Sequence, residues 1–569
     1  MRRLFRKLAF TGLGLVVLAL NVDALLTQAI NPAAPEVGPR AIRDAELVTQ
    51  GDLRRLGPCW WTNHRGEHVL YAEGDPYTLG FCAGALADTD QVLDRQELAL
   101  TSALDTFVPL KPVQFLLIRT LAVVYRRLPR RLFEAEREEI LGISEGRVDR
   151  WDYLGPTYGR VLYYHALHDI SQAMIDNPIL AACTAFAVTG TVTADGHTLL
   201  GRNFDFEAGR VFDEDKVVAF VRPDVGLPFV SVSWGGMAGA VTGMNAAGIG
   251  VVLNAAGSDR LATDGRPTTL VLRDILQLAT SVEEAAQIVR AADVLVPDLF
   301  TVADGKTGEM AVIELAPEKV AVRRGGPTVL TTNHFLHPDF ADDEENAKRI
   351  LSGTTATRLA RLAERVHGRE GPLDVPGVVS VLRDRLRPGG KPAGLGHRGT
   401  IDALIAAHSV VFDLTARRLW VARAPHTLGE YAAYDLGEVM AQGSLQDHGA
   451  LPPDPLLAEG AYERLQRTLA LEDEARHQEP TQAVRTLEEA LALTPDHPPA
   501  LLGLAEACEA AGAPDCARDH YRRFLRQGPP YLDQAERAAA RLRALGSARV
   551  EHAGRSPDQA AAGVIAPGG

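Results

Sequence analysis

At Cys183 the sequence changes texture, and this change constrains the fold more than any other feature. Downstream lie short β-branched and apolar runs broken by Gly and Asp: CTAFAVTG, HTLLGRNF, KVVAFV, GIGVVLN, FTVADG, EMAVIEL, KVAVRR, TVLTTN and SVVFD. Runs of this length with this punctuation read as strands. Asp195-Gly196, between the first two, is a hairpin signal because both residues tolerate the positive φ angles of a two-residue turn. Ser281-Val-Glu-Glu284 makes a capping box, and Thr354 to Val366 carries apolar residues at helical intervals. Strands, helices and strands again predict a layered α+β domain over residues 183–440.

The rest of the chain reads differently. Residues 44–182 carry helical spacing, for example from Asp88 to Leu104 and from Leu132 to Ile140, and are expected to be mostly helical. Residues 31–43 are a Pro- and Ala-rich linker. Residues 1–30 place four Lys/Arg in the first seven positions ahead of an apolar run from Leu8 to Leu20, which is the layout of an export signal. That run is shorter than the roughly 20 residues needed to span a bilayer, but it can be extended to Ile30. A cleaved signal and a membrane anchor over residues 8–30 therefore both stay open, and the body is expected to be exported to a periplasmic or extracellular space. At the other end, Ala483, Leu487, Ala490 and Pro495 recur as Ala517, Tyr521, Phe524 and Pro529. This spacing resembles tetratricopeptide repeats, and residues 456–545 are read as such a module or as a plain helical hairpin, a surface for a protein partner. Residues 546–569 are expected to be a disordered tail.

A length of 569 residues exceeds one hydrophobic core, in line with this division. With 59 Lys+Arg against 73 Asp+Glu, the net charge of -14 gives no electrostatic footprint for nucleic acid.

Several motif look-alikes are weak. Gly142-Ile-Ser144-Glu-Gly146 fits the G-x-S-x-G pattern of serine hydrolases, but it follows a charged helical run rather than a buried strand. Gly305-Lys306-Thr307 lacks the upstream glycine of a phosphate loop. His334 and His337 have no thiolate or further imidazole nearby to complete a metal site. No metal or cofactor is required. The remaining constellation is Cys183 at the head of the first strand, with Arg202 and Asp205 at the end of the second. A hairpin returns both charged groups towards the sulfur, and an adjacent guanidinium favours thiolate over thiol. On residue statistics alone, a buried structural cysteine is the commoner outcome.

Ala182-Cys183-Thr184-Ala185-Phe186, GRNFDF (residues 201–206), GMNAAGIGVVLNAAG (243–257), TTNHF (331–335) and ATRLARL (356–362) occur together and in one order. Upstream YAEGDPYTLGFCAGAL (71–86) and EILGISEG (139–146), and downstream HSVVFDLTARRLWVA (408–422), extend the pattern. The set resembles the cysteine N-terminal-nucleophile (Ntn) hydrolases related to isopenicillin N acyltransferase and, more distantly, bile salt hydrolase and acid ceramidase. The resemblance implies an αββα sandwich preceded by a helical pro-region and made as a precursor that cleaves itself between Ala182 and Cys183. It implies Cys183 as nucleophile, Arg202 beside the thiol and Asp205 on the new α-amine. It further implies Asn254 as oxyanion donor, Asn333 as a second holder of the α-amine, and Arg358 as the distal arginine of the network. The substrate would be a small-molecule or peptide amide, with an acyl-CoA or other acyl donor for transfer to an amine. Cys59 and Cys82, and Cys508 and Cys516, would then be two candidate disulfides in an exported chain. The alternatives are an inactive repeat-bearing binding protein, or a serine hydrolase using Ser144.

Overall fold

The computed structural model describes residues 31–174, 182–207 and 209–553. The expected signal or anchor (1–30) lies outside them. They form two compact units: one holds the chain up to Asn346 with Glu370–Val379 and Ala406–Pro452, the other holds Ala347–Arg369, Ser380–Ile405 and the chain from Pro453.

After a single 3-10 turn at Ala41–Asp44, the first unit opens with strands, not α-helices. β1 (Leu47–Gln50), β2 (Leu53–Leu56), β3 (Cys59–His64) and β4 (Glu67–Gly74) form a meander, and β4 then pairs in parallel with a strand from beyond Cys183. The expectation of a helical segment from residue 44 is thus corrected for these residues. Their turns are two-residue Gly51-Asp52, Gly57-Pro58 and Arg65-Gly66, where Gly51, Gly57, Arg65 and Gly66 all have positive φ. Those are hairpin turns spelled without the usual Asn-Gly or Asp-Gly.

Six helices follow: α1 (Pro76–Asp88), α2 (Val92–Phe107), α3 (Lys111–Val124), α4 (Glu134–Gly146), α5 (Thr157–Tyr164) and α6 (Leu167–Met174). α1 and α4 cross closely. A Cβ on Gly80 would lie 1.8 Å from the Glu139 carbonyl oxygen, and one on Gly142 would lie 2.2 Å from that of Tyr77. The glycines of the G-x-S-x-G look-alike are therefore there for backbone approach between helices.

β5 (Thr184–Gly190) and β6 (Gly196–Asp205) form the expected hairpin, but Gly190 faces Gly196 and the connection is the five residues 191–195, so the expected two-residue Asp195-Gly196 turn is corrected: Gly196, with positive φ, opens β6. Strands β7 (Lys216–Pro223), β8 (Phe229–Trp234), β9 (Thr242–Asn245), β10 (Ile249–Ala255), β11 (Asp298–Asp304), β12 (Met310–Ala316) and β13 (Lys319–Arg324) join β1–β4 in an eleven-stranded sheet of order 1-2-3-4-7-8-9-10-11-12-13. β14 (Thr328–Thr331), β15 (Ala406–Asp413), β16 (Arg418–Ala422), β17 (Tyr431–Asp435) and β18 (Ala450–Leu451) complete a second sheet of order 14-5-6-15-16-17-18. Ala185, Ala187, Leu200, Val410 and Phe412 of the second sheet share one buried core with Val218, Phe220, Val230 and Val252 of the first. The other face of the large sheet packs under α1, α4, α5, α7 (Thr268–Leu278) and α8 (Val282–Arg290) in a second core. This sheet-on-sheet arrangement with an outer helical layer is the αββα sandwich the motifs imply.

In the second unit, α9 (Thr355–His367) is fixed by Arg361, whose guanidinium makes a bidentate pair with Asp384 at 2.8 and 2.7 Å. The repeat region is α10 (Ala461–Ala475), α11 (Pro480–Leu493), α12 (Pro498–Ala510), α13 (Pro514–Arg526) and α14 (Leu532–Ala553). The recurring Ala483, Leu487, Ala490, Ala517, Tyr521 and Phe524 all lie in one buried core, which is why the period shows in the sequence. α14 runs past the expected tail boundary at 546, and residues 554–569 lie outside those described.

Candidate active site

β5 and β6 set the site. Ala185 pairs with Arg202 and Thr184 with Asn203, and with side chains alternating across a strand, Cys183, Ala185 and Arg202 face the large sheet. Cys183 is the one cysteine among the described residues outside a disulfide, because Cys59 pairs with Cys82 (Cα–Cα 6.2 Å) and Cys508 with Cys516 (5.8 Å). It is buried, and Nη2 of Arg202 donates to its Sγ at 3.7 Å.

Arg202 is itself fully buried. Its guanidinium donates to the Val241 carbonyl at 2.7 Å, to the Leu253 carbonyl and to the Thr242 hydroxyl, and it lies 4.4 Å over the Phe204 ring. Burial pushes its pKa down to about 10, opposed first by Cys183 and then by Asp205 and Asp298. It therefore stays cationic at neutral pH, a fixed charge beside the sulfur.

His408, at the start of β15, completes the seat of this cation. Its Nε2 is 2.8 Å from the Thr242 hydroxyl and 3.5 Å from Nη1 of Arg202, and its ring stacks on Phe204. Burial, then Arg202 and Lys216, holds it well below the ordinary histidine range. It is neutral, and the Thr242 hydroxyl, which accepts from Arg202, donates to it. The sequence motifs include His408 but give neither it nor Thr242 a role; the only signal is a histidine within an otherwise apolar strand.

The Ala182 N–H donates to the Asp205 carbonyl oxygen at 3.3 Å, so the bond expected to be cut is tied to the end of β6. Both Ala182 and Asp205 are buried. Asn254, near the end of β10, donates through Nδ2 to the Thr332 carbonyl at 2.9 Å. Asn333 returns the contact, donating to the Ala255 carbonyl at 2.8 Å. These two amides clasp the end of β10 to the segment after β14. Asn245, by contrast, is a turn residue: it accepts from the Ile249 N–H and donates to the Ala279 carbonyl. Arg358 lies on α9 in the second unit, buried, with Nε 3.2 Å from the Thr354 hydroxyl.

A cavity of about 150 Å³ is lined by Phe204, Phe206, Phe212, Trp234 and Val241, and on its far side by residues of α2, α4, α5 and α6. The chain before Cys183 thus supplies part of its wall. His165 in this wall is neutral: burial pushes it down to about 4, and its Nε2 accepts from the Ala238 N–H. His168 is the opposite case, because Asp298 and Asp169 outweigh burial and raise its pKa. His168, Asp169 and Asp298 come close enough to share an ion, but the Asp169 oxygens already accept from the Thr268 N–H and hydroxyl at 3.0 Å each, at the start of α7. No metal is assigned there.

Ser144 sits within α4 and donates to the Ile140 carbonyl at 2.8 Å, a helical back-bond. The strand-to-helix elbow that exposes a serine nucleophile is absent around it, which corrects the Ser144 alternative. His334 lies 3.3 Å from the Thr332 hydroxyl, and His337 accepts from the Asp339 N–H, so each is occupied locally.

Residues 192–423 match the family model of acyl-coenzyme A:6-aminopenicillanic acid acyl-transferase, a match that begins after Cys183 and includes Arg202, Asp205, Asn254, Asn333 and Arg358. Residues 474–545 match a tetratricopeptide repeat model. An uncharacterised protein of Archaeoglobus fulgidus is 29% identical over 439 residues, covering 70% of this chain and 69% of its own. Among solved structures, a Caenorhabditis elegans ortholog of N-acylethanolamine-hydrolyzing acid amidase aligns at 16% identity over 41% of this chain and 93% of that one, with a TM-score of 0.30. A variant of conjugated bile acid hydrolase from Clostridium perfringens aligns at 14% identity over 48% and 98%, also with a TM-score of 0.30. Residues 192–423 are thus similar to the acyl-coenzyme A:6-aminopenicillanic acid acyl-transferase family, and the general chemistry this match supports is amide hydrolysis or acyl transfer.

Proposed function

We propose that the chain is a self-processing cysteine Ntn enzyme that cleaves linear amides through an acyl-enzyme on Cys183. The observation that carries this reading is the Cys183 thiol at the head of β5, outside either disulfide, with the Arg202 guanidinium 3.7 Å from its sulfur. In processing, the Cys183 thiolate adds to the Ala182 carbonyl carbon. The Ala182–Cys183 C–N bond breaks, the nitrogen takes a proton to become the Cys183 α-amine, and the Ala182 acyl group is left on sulfur as a thioester. Water then cleaves the thioester, leaving a carboxylate on Ala182 and a free thiol on a chain that starts at Cys183. That α-amine, with an ordinary pKa of about 7.7–8.0, is the base that an internal cysteine lacks.

Turnover repeats the addition on a substrate amide. The α-amine takes the thiol proton, sulfur attacks, and the amine portion leaves with that proton. Water or an acceptor amine then collects the acyl group from Cys183, giving hydrolysis or transfer. Arg202 stabilises the thiolate, and Asp205 orients the α-amine. Asn254 is suited to the oxyanion because one N–H bonds to Thr332, which fixes the amide and leaves the second N–H to donate. Asn333 holds the segment after β14 against β10. The two disulfides support an oxidising, exported setting, with residues 1–30 as signal or anchor. The repeat helices are a surface for a protein partner.

The test is Cys183→Ala in the full chain. Loss of both chain cleavage and amide turnover is expected; retention of either overturns the reading.

A further inference from the structure

Between Asp105 and Glu134 the chain has no acidic residue, yet it carries Lys111, Arg119, Arg126, Arg127, Arg130 and Arg131. In a protein of net charge -14 this is an isolated basic segment. Most of it is α3 and the turn behind it, and the helix is apolar on two faces. One face packs inwards: Leu121 lies against the main core, and Tyr125 and Leu128, just beyond the helix, are buried in it. The other places Val113, Leu116, Val123 and Val124 at helical intervals, and all four are exposed, Leu116 by 65%. Leu110 before the helix and Leu98 on α2 are also exposed. A helix apolar all round is normally buried or in lipid, and an apolar face rimmed by Lys and Arg is the pattern of helices that lie in a membrane interface.

The geometry points to α3 as a membrane-docking face that lies flat on an anionic lipid surface, with Val113, Leu116, Val123 and Val124 entering the acyl boundary and Arg126 and Arg130 at the headgroups. Charge selects this occupant. The chain's own N-terminal segment opens with Arg2, Arg3, Arg6 and Lys7, and a second copy would bring the same basic rim; both would meet like charge. Arg127 and Arg131 pair with Asp264, whereas Arg126 and Arg130 are exposed. α3 is too short to span and no single helix among the described residues is long and apolar enough to cross a membrane; only α2 and α3 together, bent by 112°, reach the length, and α2 is held in the protein by buried Glu97 paired with Arg147 and Arg160, which favours an interfacial contact for α3.

The test is hydrogen exchange on the full chain with vesicles of phosphatidylcholine alone or with added phosphatidylglycerol, reading peptides from 1–30 and 111–124 separately. Anionic vesicles are expected to slow exchange in 111–124, and phosphatidylcholine alone is not. Leu116→Asp with Val123→Asp removes that protection without moving the thermal midpoint. Arg126→Gln and Arg130→Gln each weaken the lipid-dependent protection roughly five-fold. Unchanged exchange of 111–124 with anionic vesicles overturns the proposal. So does equal protection in the Asp variant, or protection that is present without vesicles and lost on dilution.

Discussion

Arg202→Met removes the one cation placed on the candidate nucleophile while keeping a long apolar stem. At 3.7 Å and an effective dielectric of about 20, a guanidinium stabilises a thiolate by about 4 kcal/mol. At about 1.4 kcal/mol per decade this is roughly three powers of ten in the thiolate-to-thiol ratio. Water entering the vacated space returns part of it, so self-cleavage at neutral pH should slow by about 10²–10³-fold. The sign with pH follows: a thiol without its cation ionises only at higher pH, so cleavage in the variant should recover as pH rises. The substitution also strips a donor from the Leu253 carbonyl, at a cost of about 1–3 kcal/mol, whereas the Val241 carbonyl keeps the Leu253 N–H. The thermal midpoint must therefore be measured beside the rate. Arg202→Lys should fall between, since one ammonium cannot reach the sulfur and both carbonyls. The assay is the time course of the two fragments on a denaturing gel across pH. A folded Arg202→Met chain that cleaves at the wild-type rate with an unshifted pH profile would refute the reasoning.

Other perturbations test other parts. Gly142→Ala forces a Cβ to 2.2 Å from the Tyr77 carbonyl and should cost about 1–3 kcal/mol in chemical denaturation, whereas Ser144→Ala should leave chain cleavage unchanged. His197 Nδ1 lies 2.8 Å from an Asp413 oxygen, and this hydrogen bond raises its pKa despite the opposing effect of burial. The folded state then holds the proton more tightly. This stability is fully present below the ordinary value of about 6.5 and fades as pH rises through the raised folded value, so the midpoint gap between wild type and His197→Gln should be widest on the acid side of about 6.5 and narrow as pH rises above it. Alkylation of the denatured, unreduced protein should label one thiol, on Cys183, and reduction should raise the count to five.

The β5–β6 hairpin was legible because its strands are short and apolar, with a Gly at the head of the second and a charged pair at one end, although its connection is five residues long rather than the two-residue Asp-Gly turn. The meander at 47–74 was not, because its turns are Gly-Asp, Gly-Pro and Arg-Gly, and because β4 finds its partner β7 more than a hundred residues away. No local pattern announces a parallel pairing across that distance. Arg202 could be singled out as a neighbour of the thiol. Its depth of burial, and its seat on Thr242 and His408, depend on the second sheet closing over the first. G-x-S-x-G at 142–146 shows the converse: the spacing that suits a nucleophile elbow also suits two helices in backbone contact, and only the presence of α1 against α4 separates them. The repeat was legible from its period because each recurring position is a core position.

The central claim is that the residue at 183 becomes a chain terminus and then works from there. N-terminal sequencing of the purified mature protein, with intact mass of both fragments, tests it directly. The account predicts a chain beginning Cys-Thr-Ala-Phe with a free α-amine and a partner fragment ending at Ala182. An enzymatically active protein whose chain remains continuous through Ala182–Cys183 would contradict it.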